Sequence, residues 1–229
     1  MTNFPGRFPL ADSELIAVQE LQHHFSDLEQ QREASSMGMW VFLITEIMFF
    51  GGMFLAYLVY RFEYYQAWVD GSQHMNFWFG TVNTVVLIGS SLSMALAVRA
   101  AQLGLKKPLV VLLIITMALG LVFMVVKGVE YHEHWVGHEF PGRNFHYEGR
   151  DPLHVEMFFI LYFTMTGFHA LHVILGLGAV GVIAYMAARG RFTAEYHNPV
   201  ENVGLYWHFV DLVWIYLYPL LYLISHHHT

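Results

Sequence analysis

The chain has 229 residues, of which 56% are hydrophobic and only 13% are charged, with a formal net charge of −7. Soluble domains carry about 25% charged residues, so this chain has too few polar residues to cover a globule in water. Its apolar residues also occur in runs of about 20, the length that crosses a ~30 Å hydrocarbon core. The composition therefore predicts an all-α, polytopic membrane protein, because helices satisfy their own backbone hydrogen bonds in lipid.

The absence of cysteine excludes disulfides, thiolate-ligated zinc, iron–sulfur clusters and covalently attached c-type haem. The basic residues are scattered and the net charge is negative, so there is no nucleic-acid footprint. The N-terminus lacks a basic region followed by a short apolar segment, and we expect the first spanning helix itself to direct insertion.

Residues 1–36 form a polar N-terminal segment, which we expect to precede a transmembrane domain of residues 37–229. Residues 12–33 carry Leu15, Val18, Leu21 and Phe25 at helical spacing, which predicts an amphipathic helix at the membrane interface or against a partner. A bundle of five transmembrane helices follows, at about residues 37–60, 77–98, 108–126, 153–188 and 202–224. The fourth is longer than the membrane is thick, so we expect it to tilt or protrude.

The placement of lysine and arginine predicts the orientation of the chain. Seven basic residues lie on the side of the N-terminus and four on the other side: Arg7, Arg32, Arg99, Lys106, Lys107, Arg189 and Arg191 against Arg61, Lys127, Arg143 and Arg150. The richer side is expected to be cytoplasmic, which places the C-terminus outside.

The longest connection, residues 127–152, then lies outside and is rich in histidine: His132, His134, His138 and His146. Histidine is a common metal ligand, so this connection is either a solvated loop or a metal site. Glu130 and Tyr131, which follow the third helix, are interpreted as interfacial anchors.

Ionisable side chains at membrane depth usually persist where they pair, face a bundle interior or serve a function. Glu46 lies near the middle of the first helix. It is interpreted either as a proton-handling or lipid-coordinating group or as a neutral acid hydrogen-bonded to a neighbouring helix, and we expect it to be buried between helices. His169 and His172 share one face of the fourth helix. They are expected to form interhelical hydrogen bonds or, alternatively, to bind haem or a metal.

The last helix carries His208 and Asp211 one turn apart, next to Trp207. We expect the carboxylate to fix the imidazole tautomer, either in a structural pair or as second-shell partners do at metal sites. The di-iron bundle signature needs Glu-x-x-His on two helices, and the spanning segments contain none. The polar residues of the second helix are expected to pack between helices; they are Asn83, Ser90, Ser91 and Ser93.

Five stretches resemble subunit III of the haem–copper cytochrome oxidases, in order and without large gaps over residues 27–224. They read LEQQREASSMGMWVFLITEIMFFGGMF, TVNTVVLIGSSLSMALAV, VKGVEYHEH, YFTMTGFHALHVILG and VENVGLYWHFVDLVWIYLYPLLYLI. The last stretch is the most specific of the five.

The resemblance implies a non-catalytic subunit that holds no haem, copper or other metal itself. It would pack against the catalytic subunit I of a proton-pumping oxidase. The haem and copper would be held by the partner subunits of this chain. Subunit II, small subunits, other respiratory complexes and membrane lipids, including bound phospholipid, are the further expected partners. The family is implicated in proton uptake and in protecting the active site during turnover.

The family's carbodiimide-reactive carboxylate matches Glu46. Its helix histidines match His169 and His172, and its tryptophan-histidine-aspartate cluster matches three residues of the last helix: Trp207, His208 and Asp211. These six residues are the candidates for a lipid-binding or proton-related site.

The chain departs from the mitochondrial form, which has seven helices and a lipid-filled cleft beside the first two. With five, it resembles the shorter bacterial subunit III, which is also found in quinol oxidases, and a bacterial cytoplasmic membrane is expected. Cytochrome c and quinol both stay open as electron donors. Two alternatives remain: a subunit III-like protein associated with nitric oxide reductase, and a haem-binding membrane redox protein that uses His169, His172 and His208.

Overall fold

The computed structural model describes residues 27–142, 145–147 and 149–224, and all regular structure within these ranges is helical. Six helices are α1 (Leu28–Glu63), α2 (Tyr65–Gln73), α3 (Phe77–Gln102), α4 (Lys106–Val136), α5 (Pro152–Ala188) and α6 (Asn198–Tyr222). Four of them, α1, α3, α4 and α5, are long and apolar enough to cross a membrane. α6 has 25 residues but is more polar, because it contains several tyrosines as well as His208 and Asp211. The chain is a multi-pass membrane protein of the all-α class, as its composition predicted.

Two of the predicted helix limits are wrong. α1 begins at Leu28, not near residue 37, because Asp27 caps it: the carboxylate accepts a hydrogen bond from the backbone N–H of Gln30 at 2.7 Å. The predicted interfacial helix of residues 12–33 therefore merges with α1 from Leu28 onward, and its residues up to 26 lie outside the described residues. α4 continues to Val136, although the sequence pattern placed its end near residue 126. The short helix α2 had no counterpart in the sequence prediction.

Four helices form a closed ring. α4 lies against α3 and α5, while α6 lies against α3 and α5 on the other side, and α2 packs on α5. The α3–α4 connection is short because Gly104 adopts a left-handed backbone conformation with φ of 67°, which glycine tolerates without strain. Contacts within the chain separate the residues up to Phe42 from those beginning at Leu43, and the ring belongs entirely to the second unit.

From Leu43 onward, α1 contacts this ring along a narrow stripe. Its buried residues are Leu43, Phe50 and Tyr57, seven positions apart, which is the repeat of a single helix face. The Tyr57 hydroxyl donates a hydrogen bond to the carbonyl of Leu220 on α6, and the Phe50 and Phe209 rings meet edge-on. The remaining faces of α1 leave a broad apolar surface for lipid or another subunit.

Candidate functional site

Glu46 and His172 form a hydrogen-bonded pair between α1 and α5. The Glu46 carboxylate lies 3.1 Å from Nε2 of His172, while Nδ1 of His172 bonds the carbonyl of Phe168 at 2.7 Å. This second bond requires Nδ1 to carry a proton and orients the ring. The side chains are 19% and 11% exposed. The prediction that Glu46 is hydrogen-bonded to a neighbouring helix is therefore confirmed, but its burial is incomplete.

His169 lies inside the ring of helices, one turn from His172 but in different surroundings. Its imidazole packs edge-on against Phe123 and tilted against Trp214, with ring centroids 5.5 and 5.3 Å apart. Neither ring nitrogen has a hydrogen-bond partner among the described residues. The expectation of an interhelical hydrogen bond is thus met by His172 and is wrong for His169.

Trp207 anchors a second polar contact, between α6 and α3. Its indole N–H donates to the Ser90 hydroxyl at 3.0 Å, and the Ser93 hydroxyl bonds that of Thr116 on α4 at 2.7 Å. These contacts confirm the predicted interhelical role of the helix serines. Asn83, grouped with them from the sequence, is buried, but its side-chain amide lacks a hydrogen-bond partner within the described ranges.

Two glycines make room for the Trp207 ring. A Cβ atom placed on Gly120 or Gly176 would lie 2.9 or 3.1 Å from the ring, which is closer than ordinary van der Waals contact. The glycine-rich stretch of α5 therefore allows close packing at Gly176, whereas Gly178 faces open space.

The predicted His208–Asp211 pair does not form. Nδ1 of His208 instead bonds the Ser91 hydroxyl of α3 at 2.8 Å. Both carboxylate oxygens of Asp211 lack a hydrogen-bond partner in the described part of the chain, although the side chain is only 3% exposed. The spacing correctly placed both residues on one face, since His208, Asp211 and Ser91 line the same cavity of about 260 Å³ between α3 and α6. The hydrogen-bond partner of the His208 imidazole is therefore Ser91, not Asp211 as predicted.

A buried charged network was missed by the sequence analysis, which placed Lys127 in the outer loop and read Glu130 as an interfacial anchor. Both residues lie inside the ring on α4 and are 3% and 1% exposed. Lys127 donates to Glu130 at 2.8 Å, to the Tyr162 hydroxyl at 3.1 Å and to the Tyr222 hydroxyl at 3.0 Å. Its three ammonium protons are thus all used. The signal available was an i, i+3 lysine–glutamate pair in an apolar helix, a spacing at which side chains meet.

The network is closed on the glutamate side as well. The Tyr222 hydroxyl donates to the other Glu130 oxygen at 2.6 Å, so both carboxylate oxygens are paired. Four aromatic rings also surround the ammonium group, with centroids 5.0 to 5.7 Å from Nζ: Tyr131, Tyr162, Trp214 and Tyr222. A desolvated cation over such rings gains further stabilisation. The charged atoms of Lys127 and Glu130 are therefore fully paired within this chain.

A carboxylate bridge lies where α4 ends. Glu139 is bonded by Nδ1 of His74 and Nδ1 of His134, each at 2.5 Å. Burial raises the pKa of Glu139, but the hydrogen bonds and charges of the two histidines more than offset this and lower it to about 2. The hydrogen bond to Glu139 raises the pKa of His74 despite partial burial. His132 and His134 lie on α4, so the histidine-rich connection is shorter than predicted.

Within the described residues, no group of three or more His, Cys, Asp or Glu side chains could hold a metal ion. His169, His172 and His208 lie in three separate surroundings, facing Trp214, Glu46 and Ser91. That no metal is ligated by this chain remains a prediction. Most of these polar groups connect helices to one another, as in a multi-pass membrane protein that is held together by helix packing.

The model of the family described as "Cytochrome c oxidase subunit III" matches residues 18–226. The chain is 33% identical to "Cytochrome c oxidase subunit 3" of Thermostichus vulcanus over 194 residues, covering 82% of this chain and 87% of that protein. It is 34% identical over 192 residues to the protein of the same name from Corynebacterium diphtheriae, covering 83% and 88%. With that of Hippopotamus amphibius it shares 29% identity over 221 residues, covering 91% and 76%.

The chain belongs to the cytochrome c oxidase subunit III family. It is thereby a respiratory-chain membrane subunit of a family that carries no redox centre itself, as the sequence motifs indicated.

Proposed function

We propose that this chain is the non-catalytic subunit III of a proton-pumping haem–copper terminal oxidase, where it stabilises subunit I and supports proton uptake. The Glu46–His172 pair carries the proposal. It combines two titratable side chains at membrane depth; Glu46 remains partly exposed at the edge of the bundle, and His172 is buried beside it. A neighbouring subunit or a lipid can therefore reach the pair from outside. The Lys127 network lies sealed inside the ring and offers no such access.

The outer surface of α1 supports a role for subunit I and phospholipid as neighbours. Ile47 and Met48 flank Glu46 and are 56% and 73% exposed, and Leu55 is 64% exposed. An exposed apolar face of this kind can lie against the acyl chains of lipid, or it can pack closely against a helix of another subunit. Subunit I is the main partner in this proposal, with subunit II, small subunits and bound phospholipid as further neighbours.

The charge pattern supports an orientation with the N-terminus in the cytoplasm of a bacterial cell. Lys127 is neutralised inside the bundle by Glu130, so it no longer counts among the basic residues of the outer side. The outer side then has three basic residues and the N-terminal side has seven. This larger difference strengthens the prediction that the N-terminal side is cytoplasmic. Cytochrome c and quinol remain equally acceptable electron donors, because the donor site lies on other subunits.

Oxygen consumption by the purified oxidase, with and without this chain, tests the proposal. We expect an unchanged initial rate and a faster decline of activity when the chain is absent. A rate that is lost from the first turnover, with the cofactors of subunit I intact, would assign the chain to the chemistry itself. A Soret band in the visible spectrum of the separated chain, at one haem per chain, would also contradict the accessory role and show that the chain binds haem.

A further inference from the structure

The groove between α3 and α6 combines an apolar rim with the carboxylate of Asp211, which has no hydrogen-bond partner among the described residues. Ile88 and Leu92 of α3 and Ile215 of α6 line it, and they are 53%, 62% and 49% exposed. Asp211 is the most buried of the three polar residues in the groove. Buried polar groups in native structures are almost always hydrogen-bonded, so the missing partner of Asp211 calls for an explanation.

The residues of the chain itself do not complete this site. The Ser91 hydroxyl lies beside the carboxylate, and its oxygen is also bonded to Nδ1 of His208. A hydroxyl supplies a single proton, whereas a carboxylate offers about four lone-pair sites. Even a Ser91 that turned toward Asp211 would leave most of these sites empty. His208 uses Nδ1 for Ser91, which leaves Nε2 for a second partner.

The depth of the groove decides which kind of partner can reach it. Asp211 is near the middle of α6, about 20 Å from its N-terminal end at a rise of ~1.5 Å per residue. Lipid headgroups begin only ~15 Å from the bilayer centre. The acyl chains that surround the groove at this depth have no hydrogen-bond donors. Lipid therefore covers the rim but leaves the carboxylate unpaired.

The size of the cavity favours a side chain over a free ligand. Its volume is about 260 Å³, whereas pockets for drug-sized molecules typically measure roughly 300–1,000 Å³. It accommodates one long side chain delivered by a helix that packs over Ile88, Leu92 and Ile215. In membranes, helices associate through such packing together with interhelical hydrogen bonds.

We propose that this groove receives a transmembrane helix of a neighbouring oxidase subunit, which brings a hydrogen-bond-donating side chain to Asp211 and His208. The inference rests on the proposed function, because it needs a partner subunit in the membrane. It assigns one partner contact to the α3–α6 face, in addition to the mostly apolar surface of α1, and it identifies Asp211 as the group that selects the partner helix.

The absence of native cysteine permits a direct test in the assembled oxidase. Leu92→Cys places a probe on the rim of the groove, and Val182→Cys, at a similarly exposed position on α5, serves as the matched control. Membranes are treated with a photoreactive benzophenone maleimide, and the adducts of this chain are identified by mass spectrometry. We expect Leu92→Cys to cross-link to a transmembrane segment of another oxidase subunit that carries an Arg, Lys, Asn, Gln, Ser, Thr or Trp side chain.

Adding Asp211→Leu to the Leu92→Cys chain should lower the yield of this adduct about tenfold, as expected for the loss of one interhelical hydrogen bond. Asp211→Asn keeps a side chain that can form hydrogen bonds, so this variant should retain most of the adduct yield. Adducts from Leu92→Cys only to lipid, only to a second copy of this chain, or to nothing would overturn the proposal. So would a protein adduct from Val182→Cys alone. If the chain with Asp211→Leu fails to accumulate, the identity of the adduct with Asp211 intact still decides the matter.

The test also separates this inference from the proposed function. Recovery of subunit I with an affinity-tagged copy of this chain reports on the proposed function. If subunit I is recovered but Leu92→Cys captures no helix, only the assignment of the groove fails. If subunit I is not recovered at all, the proposed function itself fails.

Discussion

Replacing Lys127 by methionine tests how the buried charged network contributes to stability. Methionine fills much of the same volume but removes the ammonium group, so Glu130 keeps only the hydrogen bond from Tyr222. Breaking a buried ion pair on one side typically costs 3–5 kcal/mol, because an uncompensated charge remains. For a chain of this size the loss corresponds to a drop in melting temperature of roughly 5–20 °C.

Glu130→Gln should cost less than Lys127→Met, and the difference follows from the surroundings. Without the carboxylate, the Lys127 ammonium still donates to the hydroxyls of Tyr162 and Tyr222. It also remains within 5.0 to 5.7 Å of four aromatic ring centroids, contacts that contribute about 0.5–2 kcal/mol each. The double replacement Lys127→Met with Glu130→Leu should come close to the stability of the unmodified chain, because apolar pairs often replace buried ion pairs without loss.

The measurement is unfolding of the purified chain in mixed micelles with increasing denaturing detergent, followed by circular dichroism. Lys107→Met, which removes an exposed lysine near the start of the same helix, is the control and should change stability by less than ~0.5 kcal/mol. The reasoning would be refuted if Lys127→Met behaved like this control. It would be refuted equally if the double variant Lys127→Met with Glu130→Leu were no more stable than Lys127→Met alone, since residues in one network are expected to couple.

Three further outcomes are expected. Glu46→Gln should preserve assembly, measured as subunit stoichiometry in the purified oxidase, because the amide can still bond Nε2 of His172; a lost subunit would contradict this. Gly176→Val should lower the free energy of unfolding by about 1–3 kcal/mol, because the added methyl groups overpack the Trp207 ring, whereas Gly178→Val, which meets open space, should leave it unchanged. The Glu139 bridge should be strongest between about pH 4.5 and 6.5. Its stabilisation fades below this range as the carboxylate protonates toward its lowered pKa of about 2, and above it as His74 loses its proton past its raised pKa. A pH scan of thermal stability, flattened on its alkaline side by His74→Asn, checks this, and an unaltered profile would count against the bridge.

The long spanning helices were the most predictable part of the fold. α3 begins at Phe77 and α5 ends at Ala188 as the sequence indicated, because unbroken apolar runs of this length have few alternatives in a membrane. The end of α4 was misplaced for an equally physical reason. Lys127 and Glu130 read as the point where the chain leaves the hydrocarbon, yet they neutralise each other inside the bundle. Hydropathy alone does not register such compensation.

The candidate sites were less predictable, because their partners come from distant helices. Glu46 and His172 were each singled out from the sequence, but 126 positions separate them and no local pattern pairs them. His208 and Asp211 show the opposite error. Their spacing suggested a pair, while Ser91, far away in sequence, provided the hydrogen bond. A spacing along one helix identifies a shared face, but the helix packed against that face determines the contact.

The carboxylate inside the ring of helices has both oxygens paired, whereas the carboxylates at the outer faces do not within the described part of the chain. Inside the ring, the Lys127–Glu130 network pairs every charged atom. At the outer faces, Glu46 remains partly exposed and Asp211 lacks a partner among the described residues. Isolated ionisable groups are costly at membrane depth unless they find a partner. Their presence at two outer faces is what we expect of a chain that functions as a subunit of the proposed oxidase.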